Sequence, residues 1–332
     1  FWVIPELART AGLRPVFADI DPNTFTLDPA AFERVITPKT RAVVPTHLYG
    51  LPCDMAPIMD IARRHNLVVI EDCAHALGAT YRGQPAGTFG DGALFSFQTL
   101  KPLNAYGGGM ALVKDPAVAQ KVRARVDALP WPDEQRIRNR IKLGRAQRFF
   151  SRPLVFTLTG FPILWAFSWF DASPEVYLWE KIRSLNPLPD SYTERFPNVQ
   201  GAVGLAALKH LDGWTKASQA HARAIDEALK GLPNVQTPVV PEGRTHVYYQ
   251  YCVYVNGQPR DRIVGRCVRR GIDIETLHVD VCTEMELFQD LHPAPAPGAS
   301  RAQEVIQVPV YASLTDRQLR RVVKGVRKAA IS

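Results

Sequence analysis

The chain of 332 residues is long enough for one large domain or two ordinary ones, and 46% of its residues are hydrophobic and 22% charged. This composition is typical of a soluble globular protein and excludes a disordered chain. Seven basic residues and no acid lie in residues 135–152, so the net charge of +8 falls to +1 without that segment. One basic segment without a recognised binding motif argues against general nucleic-acid binding.

Five scattered cysteines without a CxxC pair predict reduced thiols, with neither a disulfide framework nor a metal site. The chain begins FWVIPELART, with no initiating Met and no secretory signal pattern. We therefore expect a cytoplasmic protein, and the first residues are typical of the interior of a longer chain.

Short apolar runs alternate with helical patterns over the first 115 residues. The predicted strands are Pro15–Ile20, Ala42–Thr46, Leu67–Glu71, Ala93–Phe97 and Met110–Val113, and the predicted helices are Pro29–Ile36, Pro57–His65 and Asp115–Leu129. Strands rich in Val, Ile and Leu that alternate with helices form parallel sheets covered on both faces, which predicts an α/β domain. Ligands of such sheets bind outside the carboxyl ends of the strands.

Helical patterns resume at 198–232, and the terminal region mixes one strand pattern, HVYYQYCVYV, with two helical ones, RDRIVGRCVRRG and TDRQLRRVVKGVRKAA. This mixture predicts a smaller α+β domain at the C-terminus.

Three polar clusters follow predicted strands: Asp72 with His75, Lys101 before a Gly-Gly-Gly run, and His47 with Tyr49. Each cluster alone has a plain explanation as a helix cap, a solvated side chain, a turn or a pocket wall. Together they supply what pyridoxal phosphate (PLP) chemistry needs. An amine forms the imine with the cofactor, a carboxylate keeps the pyridine nitrogen protonated, and a hydroxyl and N–H groups hold the phosphate.

The chain resembles the DegT/DnrJ/EryC1/StrS-type sugar aminotransferases of fold type I. The resemblance covers nearly the whole chain except roughly residues 125–190. It runs through GLRPVFADIDPNTFTLDP, VVPTHLYGLPCDM, VVIEDCAHALGATYRGQPAGTFGDGALFSFQTLKPLNAYGGGMALV and, more faintly, RFPNVQGAVGLAALKHLD and VPVYASLTDRQ. It implies a PLP-dependent homodimer that transfers an amino group from a donor such as glutamate to a keto-sugar, which would be nucleotide- or lipid-linked.

The resemblance also implies a role for each matching position. Lys101 is the catalytic residue and forms the Schiff base with PLP, while Asp72 pairs with the pyridinium nitrogen. Ser96 binds the phosphate, and His75 lies near the ring oxygen. The alternative for His75 is a histidine packed on the helix after the strand. Relatives with His in place of the lysine carry out dehydration, so Lys101 favours transamination.

The sequence departs from the family pattern in three places. The family has an upstream stretch with a Gly-Ser/Thr turn that binds the phosphate, and this sequence does not contain it. We therefore expect either that the sequence is a fragment of a longer protein or that its phosphate site is incomplete. Thr193 stands where the family has an Asn two positions before an Arg, here Arg195. We expect these two residues to contact the site of a partner subunit.

The third departure is a segment, residues 126–195, that is atypical of the family and is predicted to be an insertion. It divides the chain into a PLP-binding domain at 1–125, the insertion at 126–195, and a connecting helix with a small domain at 196–332. The insertion contains an uncharged run of 18 residues, 153–170. It is interpreted either as a hairpin packed on the domain or at a dimer interface, or as part of a peripheral membrane contact through 135–170. A different PLP reaction and a catalytically silent regulatory or scaffold protein remain alternative functions.

Overall fold

The computed structural model describes residues 1–167, 169, 182–274 and 280–331. The α-helices are α1 (Val3–Thr10), α2 (Pro29–Arg34), α3 (Met55–Arg64), α4 (Pro116–Asp127), α5 (Glu134–Phe150), α6 (Pro153–Leu158), α7 (Gly160–Phe167), α8 (Asn198–Leu208), α9 (Leu211–Leu229), α10 (Arg260–Arg269), α11 (Pro297–Gln303) and α12 (Asp316–Ile331). The strands are β1 (Ala42–Val43), β2 (Val68–Asp72), β3 (Thr80–Tyr81), β4 (Gln84–Pro85), β5 (Gly92–Ser96), β6 (Gly109–Val113), β7 (Val235–Gln236), β8 (Arg244–Thr245), β9 (Tyr251–Val255) and β10 (Ile306–Val308).

A four-stranded sheet in the order β1-β2-β5-β6 organises the first half of the chain. Strands β1, β2 and β5 are parallel and β6 is antiparallel to β5, so the predicted α/β class with a mostly parallel sheet is confirmed. Side chains alternate along each strand. Val69 and Phe95 enter the core on one face, whereas Val68 and Ile70 on the other face are 47% and 36% exposed. Within the described chain, one face of the sheet is therefore open.

Helix α3 covers the packed face of this sheet. Its apolar residues Met55, Ile58 and Ile61 recur every three positions, which places them on one side of the helix. All three are buried in a cluster that includes Val43 and Val69 of the strands. The helix thereby fixes the strands from which the polar residues at their carboxyl ends project.

The second half of the chain is built on an antiparallel sheet in the order β10-β9-β7. Helices α9, α10 and α12 supply apolar side chains to the same core as β9 and β10. Members of that core include Ile225, Tyr251, Ile263, Ile306 and Val326. The mixed helix and strand character predicted for this part of the fold is confirmed.

Two contacts join the halves close to the carboxyl edge of the first sheet. Strand β8 pairs with β3, and the hydroxyls of Thr80 and Thr245 lie 2.8 Å apart. Directly after β8, the N–H of Val247 donates to the carbonyl oxygen of Gly50 at 3.0 Å. These contacts bring residues 246–250 beside the ends of β1 and β2.

Residues 15–20 differ from the sequence-based prediction, because only one β-bridge forms there, between Ile20 and Leu27. The first residue of this stretch is a proline, which cannot donate a ladder hydrogen bond. The carboxylate of Asp19 instead accepts the N–H of Gly298 at 3.0 Å. This contact holds the stretch against the start of α11 rather than in the sheet.

Helices α5, α6 and α7 lie in residues 126–195, the segment that the sequence predicts to be an insertion. Arg195 joins the two ends of that segment: its N–H donates to the carbonyl oxygen of Pro130 at 2.9 Å, and its guanidinium pairs with Asp127 at 2.9 Å and lies 4.2 Å from the ring centroid of Trp131. Within the part of the chain that the structure describes, no helix is both long enough and apolar enough to cross a membrane. The last residue of the uncharged run, Phe170, lies outside the described residues.

Replacing Ile225 with alanine tests the core of the second half. Ile225 is fully buried, so we expect the cavity to lower the free energy of unfolding by about 2–5 kcal/mol in chemical denaturation. The matched control is Ile331→Ala at the end of α12, where 61% of the side chain is exposed. The control should change the free energy by less than about 0.5 kcal/mol. Equal effects would contradict this assignment of the core.

Candidate active site

The candidate site lies at the carboxyl ends of β2 and β5. Asp72 is the last residue of β2 and Ser96 the last of β5, and the register pairs Asp72 with Leu94. Alternation places the side chains of Asp72, Leu94 and Ser96 on the open face of the sheet. Lys101 follows in the lysine loop, which we define as residues 97–108. Three of the predicted residues are thus grouped by adjacent strand ends.

The amine of Lys101 lies in a largely desolvated position. Its Nζ is 5.0 Å from the centroid of the Tyr249 ring. Burial lowers the pKa of Lys101 from its ordinary 10.5 to about 8, although the charge of Asp72 acts in the opposite direction. A larger fraction of neutral, nucleophilic amine is therefore present near neutral pH than for a solvated lysine.

His75 lies beside the same tyrosine, with its ring centroid 4.2 Å from that of Tyr249. Its Nδ1 accepts the backbone N–H of Tyr49 at 3.3 Å. Burial and the nearby charge of Lys101 lower the pKa of His75 well below its ordinary value. The imidazole is therefore neutral, carries its proton on Nε2, and presents a flat surface next to the amine.

Asp72 is 4% exposed and keeps part of its hydrogen-bonding capacity. One carboxylate oxygen accepts the N–H of Ala74 at 3.0 Å, and the other lies 3.4 Å from the hydroxyl of Thr46. A carboxylate offers about four acceptor positions, so Asp72 can still accept an N–H from a ligand. The hydroxyl of Ser96 makes no hydrogen bond to the described residues, and it too can bind a ligand. An amine, a carboxylate, a neutral imidazole and a hydroxyl together fit PLP.

Behind Asp72, the preceding residue forms a saturated buried network. Glu71 and His47 are both fully buried, with 3.0 Å between Oε2 and Nε2. The carboxylate also accepts the N–H groups of Gly87, Phe89 and Gly90, each at 2.8 Å. Burial alone would raise the pKa of Glu71, but hydrogen bonds from His47 and from the Gly90 and Gly87 N–H groups hold the pKa below its ordinary value. The network fixes residues 87–90 to the end of β2.

His47 links this network to the following segment of the chain. Its Nδ1 accepts the N–H of Cys53 at 3.0 Å, so Nε2 carries the proton that is donated to Glu71. Ligand atoms of His47, Glu71 and Cys73 lie within 4.8 Å of one another, an arrangement that the sequence did not predict. The hydrogen bonds already made by His47 and Glu71 favour a structural role for this cluster over metal binding. No disulfide joins the five cysteines.

The lysine loop is held by the start of α8. Nε2 of Gln200 donates to the carbonyl oxygens of Ala105 at 2.7 Å and Gly107 at 3.2 Å. Gly108 has a φ of +79°, and a Cβ there would lie 2.4 Å from the Phe196 ring. Glycine is therefore required where the ring packs against the backbone.

Tyr249, Glu71 and Gln200 are the contacts that sequence analysis missed. Tyr249 lies in HVYYQYCVYV, a pattern that indicated only a strand. It reaches the site because Gly50 packs tightly against this segment, where an added Cβ would lie 2.9 Å from the backbone nitrogen of Tyr249. The one local sequence signal of that close approach was the glycine that follows Tyr49. In the structure both residues have a positive φ.

The contacts that the structure shows for Thr193 and Arg195 are with residues of the same segment, 126–195. The hydroxyl of Thr193 donates to the carbonyl oxygen of Asp190 at 3.1 Å. Arg195 engages Asp127 and Trp131, as described above. The proposed contact of these residues with a partner subunit stays a prediction.

The fold and the family are established by comparison with known proteins. The structure of S. venezuelae DesV in complex with a ketimine intermediate is similar, with a TM-score of 0.75 and 27% sequence identity over 100% of this chain and 76% of that chain. A GDP-perosamine synthase of Caulobacter vibrioides is 31% identical over 345 residues, 99% of this chain and 79% of its own. A pleiotropic regulatory protein of Geobacillus stearothermophilus is 32% identical over 330 residues, 97% of this chain and 73% of its own.

The fold is that of an aminotransferase. The sequence profile of the DegT/DnrJ/EryC1/StrS aminotransferase family matches residues 3–147 and 178–327, and the chain belongs to this family. The family and the enzyme class predicted from the sequence are thereby confirmed. The interval between the matched ranges, residues 148–177, contains α6 and α7.

The lowered pKa of Lys101 gives a test that needs no cofactor. At about 8, this pKa predicts that acylation of Lys101 by a dilute amine-selective reagent rises with pH around a midpoint near 8, as followed by peptide mass spectrometry. A free lysine side chain, with a pKa of about 10.4, serves as the reference. Since the charge of Asp72 raises the pKa of Lys101, Asp72→Asn should move the midpoint to lower pH. A midpoint equal to that of the reference would contradict the buried position.

Removing the Glu71 carboxylate tests the network behind the site. Glu71→Ala leaves His47 and three backbone N–H groups without their acceptor. We expect a loss of about 3–5 kcal/mol in the free energy of unfolding. The control is Glu33→Ala, which breaks an exposed ion pair with Arg64 and should cost less than about 1 kcal/mol. A loss no larger than that of the control would argue against the network.

Proposed function

We propose that the chain binds PLP through Lys101 and transfers an amino group from a donor such as glutamate to a keto-sugar. The observation that carries the proposal is the buried Lys101 amine, with its pKa lowered to about 8, beside the carboxylate of Asp72 in the segment that matches the family. A GDP-perosamine synthase among the relatives supports a nucleotide-linked sugar. A lipid-linked sugar remains an alternative.

Each residue of the site has a proposed task. PLP, when bound, supplies an aldehyde that accepts the amino group and a ring that withdraws electrons. Lys101 Nζ would hold the cofactor through its aldehyde group and, once the donor amine has taken its place, would move the proton at the donor's α-carbon. Asp72 accepts a hydrogen bond from the ring nitrogen and keeps it protonated. Ser96 donates its hydroxyl to the phosphate, and His75 packs its neutral ring beside the cofactor.

The overall reaction is a balanced exchange. Glutamate gives up its amino group and leaves as 2-oxoglutarate, whose keto oxygen comes from one water molecule. The sugar ketone becomes an amine and its oxygen leaves as one water molecule, so no net water is consumed or formed. Within this exchange, the proposed task of Lys101 is to move the proton at the donor's α-carbon. Because proton transfer by a positioned amine requires its neutral form, the pKa near 8 suits this task at physiological pH.

A homodimer is proposed as the working unit, with Thr193 and Arg195 near the site of the partner subunit. The 29% exposure of the Arg195 side chain leaves part of it accessible for such a contact. A cytoplasmic location, predicted from the sequence, stays a prediction.

Covalent cofactor binding tests the proposal. Purified protein given PLP should develop visible absorbance, and reduction with borohydride should fix the cofactor on the peptide that contains Lys101. Lys101→Ala should abolish both signals, while Lys114→Ala, at an exposed lysine, should abolish neither. Asp72→Asn should retain the covalent bond and lose amino transfer by roughly a hundredfold or more, since a stabilising charge at the reacting group is removed.

The substrate is tested separately, by release of 2-oxoglutarate from glutamate with a panel of nucleotide-linked keto-sugars. A regulatory role is the second candidate function, favoured by the name of the Geobacillus stearothermophilus relative. A colourless protein that ignores added PLP would refute the enzyme and leave this second candidate. A coloured protein that turns over no keto-sugar would retain the cofactor site and refute the sugar substrate.

A further inference from the structure

Helix α5 exposes basic and apolar side chains around most of its circumference. Only Gly144 of its 17 residues is buried. Lys142 and Arg145 lie one turn apart, and both are exposed. Leu143 and Phe150, which are two turns apart and lie above one another, are 59% and 55% exposed. The helix therefore combines cations and apolar groups where nothing in the described chain covers them.

Several of these cations lack an acidic partner. Arg136 pairs with Glu194, and Arg138 pairs with Glu134 at 3.0 Å. No carboxylate of the described residues lies within ion-pair distance of Lys142 or Arg145. Uncompensated positive charge on one helix creates a local field that attracts anions.

Helices α6 and α7 continue this surface with side chains that are mostly apolar and carry no charge. Leu154 and Leu158 are 73% and 71% exposed, and Ile163 is 58% exposed. On the other side of α7, Phe161 and Leu164 pack against the core of the second half. The helices are thus anchored to the protein while their outward leucines and isoleucine face solvent. Monomeric proteins rarely expose several apolar side chains close together in this way.

We propose that α5, α6 and α7 form a docking surface for an anionic lipid bilayer. The two exposed elements match the two layers of a membrane surface: Lys142 and Arg145 would meet anionic headgroups, and Leu154, Leu158 and Ile163 would enter the boundary with the acyl chains. The exposed Trp165 and the neighbouring Trp169, whose ring centroids lie 5.7 Å apart, suit the interfacial depth at which tryptophan concentrates.

Two other occupants fit this surface less well. In a symmetric dimer the patch would meet a second copy of itself, so the positive charge of Lys142 and Arg145 would be brought close to equal positive charge, with no carboxylate of the described residues within ion-pair distance to offset it. Nucleic acid would neutralise the cations, but it offers no apolar layer for the aliphatic side chains of Leu154, Leu158 and Ile163. An anionic bilayer is the one occupant that satisfies both the charge and the apolar groups.

Vesicle co-sedimentation of the full chain tests the proposal. The protein should bind vesicles of phosphatidylglycerol and phosphatidylcholine, bind vesicles of phosphatidylcholine alone much less, and bind less as salt rises. Lys142→Gln with Arg145→Gln should weaken binding roughly twentyfold, since each basic side chain contributes about fivefold at an anionic surface. Arg317→Gln with Arg320→Gln, an exposed pair at the same spacing on α12, removes the same charge and should leave binding unchanged.

The apolar layer is tested with Leu154→Ser and Leu158→Ser together, which should weaken binding at least about tenfold. The control is Val118→Ser with Val126→Ser on α4, where the side chains are 46% and 44% exposed. Circular dichroism and PLP absorbance monitor folding of every variant. The proposal is overturned if the wild-type chain does not bind anionic vesicles, or if test and control variants bind alike. It is also overturned if the test variants change only the oligomeric state, or only oligonucleotide binding.

Discussion

The carboxylate of Glu71 holds together three separate parts of the chain on which the site depends. It lies near the end of β2 and accepts hydrogen bonds from three N–H groups of residues 87–90 and from Nε2 of His47. The other ring nitrogen of His47 accepts the N–H of Cys53. Each of these donors would be buried and unpaired without its acceptor, at a cost that favours a single arrangement. Asp72 follows directly in the chain, so its position is set by that arrangement.

Glu71 and Asp72 are adjacent in the sequence, but the first carboxylate has a structural role and the second is available to a ligand. Glu71 projects to the packed face and has its acceptor positions filled. Asp72 projects to the open face, accepts one short hydrogen bond from Ala74, and retains capacity for a ligand. The alternation of a β-strand separates a structural carboxylate from a chemical one over a single residue. Burial lowers the pKa of Lys101, and the charge of Asp72 offsets only part of that effect.

Most of the sheet and the grouping of Asp72, Ser96 and Lys101 could be predicted, because both depend on local patterns: apolar strands, their ends, and a loop directly after one of them. Tyr249 could not be predicted as a neighbour of Lys101, since it arrives from 148 residues further along the chain by the approach of residues 248–249 to Gly50. The partners of Glu71 depend equally on a distant turn. Residues 15–20 failed as a strand because a proline and the contact of Asp19 with α11 decide their path.

The hydrogen bond between the Arg195 N–H and the Pro130 carbonyl oxygen brings the chain back to the point from which it left. The described residues between these two are held at further points, because Phe161 and Leu164 pack against the core of the second half and Arg140 donates to the side-chain oxygen of Gln200 at 3.2 Å. The amide nitrogen of the same glutamine holds the lysine loop. A single side chain therefore connects the outer helix α5 to the loop that carries the reacting amine, and a change in that helix is transmitted to the chemistry.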